Sequence, residues 1–111
     1  MCIFCDIAVG KQKAEIMFQD QDMVAFSDIN PKAPVHILFV PKKHLESLQA
    51  LGEGDIALIG KLVWKAKELA RDQGISDGYK LIFNGGQLQR VSHLHLHLLG
   101  GWKAEEKVSE V

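Results

Sequence analysis

The chain has 111 residues, 47% of them hydrophobic and 24% charged, with a formal net charge of −1; this is the make-up of one globular domain and excludes both a disordered chain and a second core. So small a net charge offers no basic footprint for tracking a nucleic-acid backbone, so we expect a small-molecule partner and no nucleic acid. No apolar run is long enough to cross a bilayer, and the opening residues turn acidic at Asp6, so no membrane and a cytoplasmic location are expected.

The chain opens with Cys2-Ile3-Phe4-Cys5-Asp6-Ile7, where Ile3, Phe4 and Ile7 return at helical spacing before Gly10 ends a short helical turn. Cys2 and Cys5 are the only cysteines. In a reducing compartment C-x-x-C points to a metal or a redox pair rather than a structural disulfide, and a closed zinc site needs two further ligands. Residues 16–18 and 23–26 read as two short strands with 19–22 as the turn, a hairpin. Residues 28–34 form a loop with two prolines, neither of which fits a central strand. Asp28, at a strand end beside that rigid loop, suits vicinal hydroxyls, although a plain turn-forming aspartate has the same local sequence.

Residues 35–40, Val-His-Ile-Leu-Phe-Val, are apolar enough to be the central strand. His36 inside it requires a partner, because an unpaired buried imidazole is costly. His44 follows just past the strand, where it can reach back to the N-terminus as a metal ligand. From 55 to 73, Ile56, Ile59, Leu62, Val63, Ala66, Leu69 and Ala70 mark one face at helical spacing, with Lys61, Lys65, Lys67, Glu68 and Arg71 opposite. This is the one long helix, closed by Gly74; its Trp64 and leucines are expected to pack on the sheet, and it is given no catalytic role. Residues 79–84 read as the fourth strand, and Gly85-Gly86 in the following loop lets backbone N–H groups approach an anion beside Asn84.

The segment Ser92-His93-Leu94-His95-Leu96-His97-Leu98 alternates imidazole and leucine. Period-two alternation predicts a half-buried strand with His93, His95 and His97 on one face and Leu94, Leu96 and Leu98 on the other. Residues two apart lie roughly 7 Å apart along a strand, so the three rings can share a phosphate or divide between a metal and a substrate. A merely solvated face would carry Lys, Glu and Thr instead.

With His93 to Leu99 complete as His-φ-His-φ-His-φ-φ, the sequence resembles the histidine-triad (HIT) family, in particular its nucleotide-binding branch. The resemblance extends through Ile3-Phe4, Phe26, Asp28-Ile29, Pro31, Ala33-Pro34, His36, Pro41-Lys42-Lys43-His44 and Leu99-Gly100-Gly101. It implies a single α+β domain over 1–111, with a five-stranded antiparallel sheet, one main helix and a homodimer. It also implies hydrolysis of purine nucleoside phosphoramidates to nucleoside monophosphate and amine. In that scheme His95 is the nucleophile, its other nitrogen held by the His93 carbonyl; His97 bonds the phosphate oxygens and His36 orients the cluster. Asp28 would accept the ribose hydroxyls, Phe4, Ile7, Phe26 and Ile29 would line the base slot, and Asn84 with the backbone of Gln89, Arg90 and Val91 would hold phosphate. Zinc-containing members imply a structural Zn2+ on Cys2, Cys5, His44 and His93. Two departures stand out: the loop into the triad is about two residues shorter than in many members, and Arg90 replaces a serine common there. Two other readings stand beside the first, a dinucleoside polyphosphate hydrolase, against which His97 argues, and a non-catalytic nucleotide- or partner-binding module. The charged tail from 103 to 111 carries no local signal of a role.

Overall fold

The computed structural model describes residues 2–103 and Val108; Met1 and most of the tail read above, 104–107 and 109–111, lie outside the described residues. The chain first forms helix α1 (Ile3–Ala8), whose N-cap is Cys2: its sulfur accepts the Cys5 N–H at 3.4 Å, and Gly10 leaves the helix at φ 82°. Phe4 and Ile7, three apart, form its buried side, whereas Ile3 is half exposed and does not share it. Strands β1 (Ile16–Gln19) and β2 (Met23–Ser27) follow, joined by a turn in which the Asp20 carboxylate accepts the N–H groups of Asp22 and Met23. Gln19 pairs with Val24, so it belongs to the strand rather than the turn.

Strand β3 (Val35–Pro41) is central, as its composition predicts, in an all-antiparallel sheet of order β1-β2-β3-β5-β4, with β4 at Tyr79–Phe83 and β5 at Leu96–Gly100. Between β3 and β4 a strap of two short 3-10 turns leads into helix α2 (Ile56–Asp72). The strand period of two sorts the sheet into two faces. Met23, Ala25, Ile37, Phe39, Leu96 and Leu98 pack against Leu62, Ala66, Leu69 and Ala70 of α2. Val24, Phe26, Leu38 and Val40 point the other way and are covered by Phe4 and Ile7 of α1. His36 is in phase with Leu38, and His97 stands opposite Leu38 across the ladder, so both lie on the α1 face. At the end of β5, Gly100 permits a close approach: a Cβ there would meet not only the flexible Ile75 Cδ1 at 2.6 Å but also the Gly78 carbonyl oxygen at 3.0 Å and Tyr79 Cβ at 3.2 Å.

Two expectations change. The apolar stripe of α2 is wider than its contact with the sheet: Leu62, Ala66, Leu69 and Ala70 are buried, but Ile56, Val63 and Trp64 are exposed, Trp64 by 60%. The histidine strand also begins only at Leu96, so His93 and His95 precede the ladder, and only His97 of the triad is in β5. His93 to Leu96 are buried on both sides rather than half-buried, with Phe4 of α1 edge-on to the rings of His93 and His95, and the Leu94 N–H donates to the Leu45 carbonyl of the strap at 2.6 Å instead of to a strand. The rings also approach more closely than their spacing along a strand, with 4.9 Å between the His95 and His97 centroids.

Candidate active site

Two clusters of ligand-type side chains lie on the α1 face. In the first, Cys2, Cys5, His44 and His93 bring their sulfur and nitrogen atoms within 4.8 Å of one another. Helix α1 presents both thiols one turn apart; the strap supplies His44, next to Lys43, which pairs with Asp55 at 3.1 Å; the segment before β5 supplies His93. His93 is fully buried, and its Nε2–H donates to the Pro41 carbonyl at 2.8 Å. That bond leaves a lone pair on Nδ1, which faces Cys2 Sγ at 3.2 Å and Cys5 Sγ at 3.5 Å, while His44 Nδ1 lies 3.2 Å from Cys5 Sγ. Ligand-to-ligand edges of about 3.5 Å are what metal bonds of about 2.0–2.3 Å produce in a tetrahedron. Two sulfurs and two imidazoles, one of them oriented by a backbone carbonyl, thus fit a zinc-type ion. Without a metal the Cys5 thiol is pushed up, first by burial and then by Cys2.

The second cluster is Asp28, His36 and His97, also within 4.8 Å. Here the backbone decides differently. The Lys32 N–H donates to His36 Nδ1 at 3.0 Å, so the His36 proton sits on Nε2 and is donated to His97 Nδ1 at 2.9 Å. The His97 proton therefore sits on its own Nε2, the one buried side-chain polar atom without a partner among the described residues. A metal would need the His36 Nε2 lone pair, which this chain of bonds removes. Burial holds both rings neutral: the His36 pKa is lowered by burial, against an opposing pull from Asp28, and that of His97 is lowered to about 4 by burial and then by His95 and His36.

Between the clusters lies His95, buried, its Nδ1–H donating to the His93 carbonyl at 2.8 Å and its ring edge-on to Phe4 at 5.1 Å between centroids. Its Nε2 therefore carries a bare lone pair, on a ring whose centroid lies 4.9 Å from that of His97. A nucleophile next to an uncommitted donor is the arrangement needed to attack phosphorus while bonding a phosphate oxygen.

The other predicted residues are brought together only in part. Phe4, Ile7 and Phe26 share one buried cluster, with the two phenylalanine rings edge-to-face at 5.5 Å. Asp28 is half-buried, with Oδ1 accepting the Asn30 N–H and Oδ2 3.5 Å from His36 Nε2. Ile29 is 91% exposed and does not join the cluster. Asn84 is half-buried just past β4, Arg90 is exposed and Val91 packs against the Phe4 cluster. The Gln89 amide is committed to the loop itself, donating to the Glu46 and Val91 carbonyls at 2.6 and 2.8 Å. The Lys32 N–H and the Pro41 and Leu45 carbonyls, which fix the rings or the backbone beside them, were not anticipated, and no side-chain pattern could reveal them. Two surface grooves of about 560 and 300 Å³ run beside α2, lined by residues such as Asp22, Ala57 and Lys61, and contain none of the histidines. The chemistry lies on the opposite face of the sheet.

The family model described as "Scavenger mRNA decapping enzyme C-term binding" matches residues 1–109. Protein HitA of Neisseria gonorrhoeae is 43% identical over 101 residues, 89% of this chain and 94% of HitA. The chain belongs to the HIT family. Among solved HIT proteins, a HIT family hydrolase from Legionella pneumophila superposes with a TM-score of 0.90 at 42% identity, over 93% of this chain and 95% of that one. A Zn-bound histidine triad family protein from Mycobacterium smegmatis gives 0.81 at 27% identity, over 95% and 78% of the two chains. The five-stranded antiparallel sheet with one main helix is thus the HIT fold, as expected, and no helix among the described residues is long and apolar enough to cross a membrane.

Proposed function

We propose that this HIT protein hydrolyses purine nucleoside phosphoramidates through a nucleotidyl-histidine intermediate. The observation that carries the reading is the pair of fixed tautomers, a bare Nε2 on His95 and an unpartnered Nε2–H on His97. His95 Nε2 attacks phosphorus, the P–N bond to the amine breaks, and the leaving nitrogen takes up a proton. Water then attacks phosphorus, the bond to His95 breaks, and nucleoside monophosphate departs as the imidazole is restored. Splitting the displacement in two, with a phosphate oxygen held by a donor that no protein group occupies, leaves little to reorganise. Asp28 Oδ2, engaged only at 3.5 Å, has acceptor capacity for the ribose hydroxyls, and the apolar cluster around Phe4 and Phe26 suits a base. Arg90 is always charged and cannot act as an acid, but it can offset negative charge on a leaving group.

The same reading gives the Cys2–Cys5–His44–His93 cluster a zinc ion, which ties the N-terminal helix to the catalytic segment. It also includes a homodimer, in keeping with β4 lying at the sheet edge with every residue half-buried, and a reducing, cytoplasmic setting that keeps both thiols free. The test follows adenosine monophosphate release from adenosine phosphoramidate by chromatography, for the native protein and for His95→Ala, with calorimetry of adenosine monophosphate binding to both. Release by the native protein alone, with binding by both, is the expected result; binding without release by either protein refutes the hydrolase.

A further inference from the structure

The sheet stops short of the nucleophile. β5 enters its ladder at Leu96, opposite Phe39 and Phe83, so neither His93 nor His95 has a cross-strand partner. The carbonyl that sets the His95 tautomer belongs to the peptide unit joining His93 to Leu94. In a trans peptide the C=O and N–H point in opposite directions, and here both ends are engaged. The C=O accepts from His95 Nδ1, and the N–H donates to the Leu45 carbonyl at 2.6 Å.

What, then, holds this peptide in place of a strand? On one side is the His93 ring, gripped at Nε2–H by Pro41 and facing both thiols through Nδ1. On the other side is Leu45, the residue next to His44 in the strap. The four-donor cluster contains His93 itself and the neighbour of Leu45, and it anchors both to α1 through Cys2 and Cys5. A metal on these donors would cross-link the two backbone segments that clamp the peptide.

Resting on the reading above, we infer that the Cys2–Cys5–His44–His93 cluster is a positioning device for His95. Loaded with a divalent ion that prefers thiolate and imidazole, it keeps the His93–Leu94 peptide in place, and His95 stays in the tautomer with a bare Nε2. Metal occupancy thereby regulates the site without the ion touching substrate. The His36–His97 pair is outside this control, since the Lys32 N–H sets its tautomers.

The experiment compares full-length protein loaded with zinc, stripped by a chelator and reloaded, using nitrogen-15 NMR of the imidazoles, which distinguishes the two tautomers ring by ring. In the loaded protein His95 gives one tautomer; on stripping its signals move toward the average of two forms and reloading restores them, while His36 and His97 stay unchanged. Alongside, kcat on adenosine phosphoramidate falls on the order of 10–100-fold on stripping, the usual cost of losing a ligand's orienting contacts, without a comparable change in adenosine monophosphate affinity. Identical His95 signals in loaded and stripped protein overturn the inference. If the stripped protein unfolds, His44→Asp keeps four donors at lower affinity, and the His95 signals must track metal occupancy in that variant; independence from occupancy is equally decisive against it. Because the imidazole spectra need no substrate, a protein that hydrolyses nothing defeats the reading of function while still answering this question.

Discussion

The two ligand-type clusters on the α1 face meet the same proximity criterion and differ in what the backbone does to their imidazoles. In the Cys2–Cys5–His44–His93 group a carbonyl, that of Pro41, accepts from the outer nitrogen of His93 and leaves a lone pair pointing inward, where a cation can use it. In the Asp28–His36–His97 group an N–H, that of Lys32, donates to the outer nitrogen of His36 and leaves a proton pointing inward, which is passed along to His97 Nε2. One backbone acceptor against one backbone donor separates a cluster that offers a lone pair to a cation from one that offers a proton to an anion. Residue type alone does not distinguish them.

The largest effect that would break this contrast concerns the metal. Native mass spectrometry is expected to show one zinc per chain, and Cys5→Ala none, with a lower Tm; structural zinc sites contribute apparent binding energies up to ~10–16 kcal/mol. Two metals per chain would place one in the second cluster and refute the tautomer argument. Next in size is His97→Ala, which removes the uncommitted donor. Loss of one such donor to a transition-state oxygen costs about 10²–10³-fold in rate, so kcat should fall by that order in steady-state assays with zinc content unchanged.

A third test uses pH. His97 titrates at about 4 in the folded chain, because burial and then the neighbouring imidazoles of His95 and His36 disfavour its charged form, and His36 is lowered in the same direction. Between about 4 and the ordinary histidine value near 6.5 the unfolded chain binds more protons, so stability rises with pH there. The contribution is complete above about 6.5, is lost as pH falls toward 4, and for half-buried His97 amounts to no more than about 3 kcal/mol. Urea unfolding of the native protein and His97→Asn from pH 7.5 to about 4.5 measures it. The native protein should lose more stability than the variant on acidification; parallel losses would show that His97 is not held neutral by burial.

The strand and helix order was legible because each element carries its own period: residues 16–18, 23–26, 35–40 and 79–84 fall within one residue of β1 to β4, and 55–73 contains α2. The start of β5 was not, since alternation of His and Leu is the same whether the backbone pairs with a strand or with the Leu45 carbonyl of a strap. The exposure of Ile56, Val63 and Trp64 was illegible for a related reason, that periodicity gives the direction of a face but not its width. C-x-x-C announced two donors and the place of His44 just past the strand suggested a third, whereas His93 as the fourth followed from the family resemblance rather than from spacing. The Lys32 N–H and the Pro41 carbonyl decide the chemistry of each cluster, yet nearly every residue has such groups, so only the fold shows which ones matter.

The smallest expected effect sharpens the contrast from the side of Asp28. Its Oδ1 is taken by the Asn30 N–H, and its Oδ2 approaches His36 Nε2 only at 3.5 Å, a weak contact beside the 2.9 Å bond from that nitrogen to His97. If the carboxylate's work is to accept ribose hydroxyls, Asp28→Asn keeps one acceptor oxygen and removes the charge. That change costs a charge-assisted hydrogen bond, about 1.5 kcal/mol, or roughly tenfold in KM for adenosine phosphoramidate. The backbone bond from Lys32 is untouched, so kcat and the His36 and His97 tautomers should hold, and zinc content should stay at one. A fall in kcat with KM unchanged would instead make Asp28 a partner of the His36–His97 pair, with its main charge interaction directed at the imidazoles rather than at the sugar.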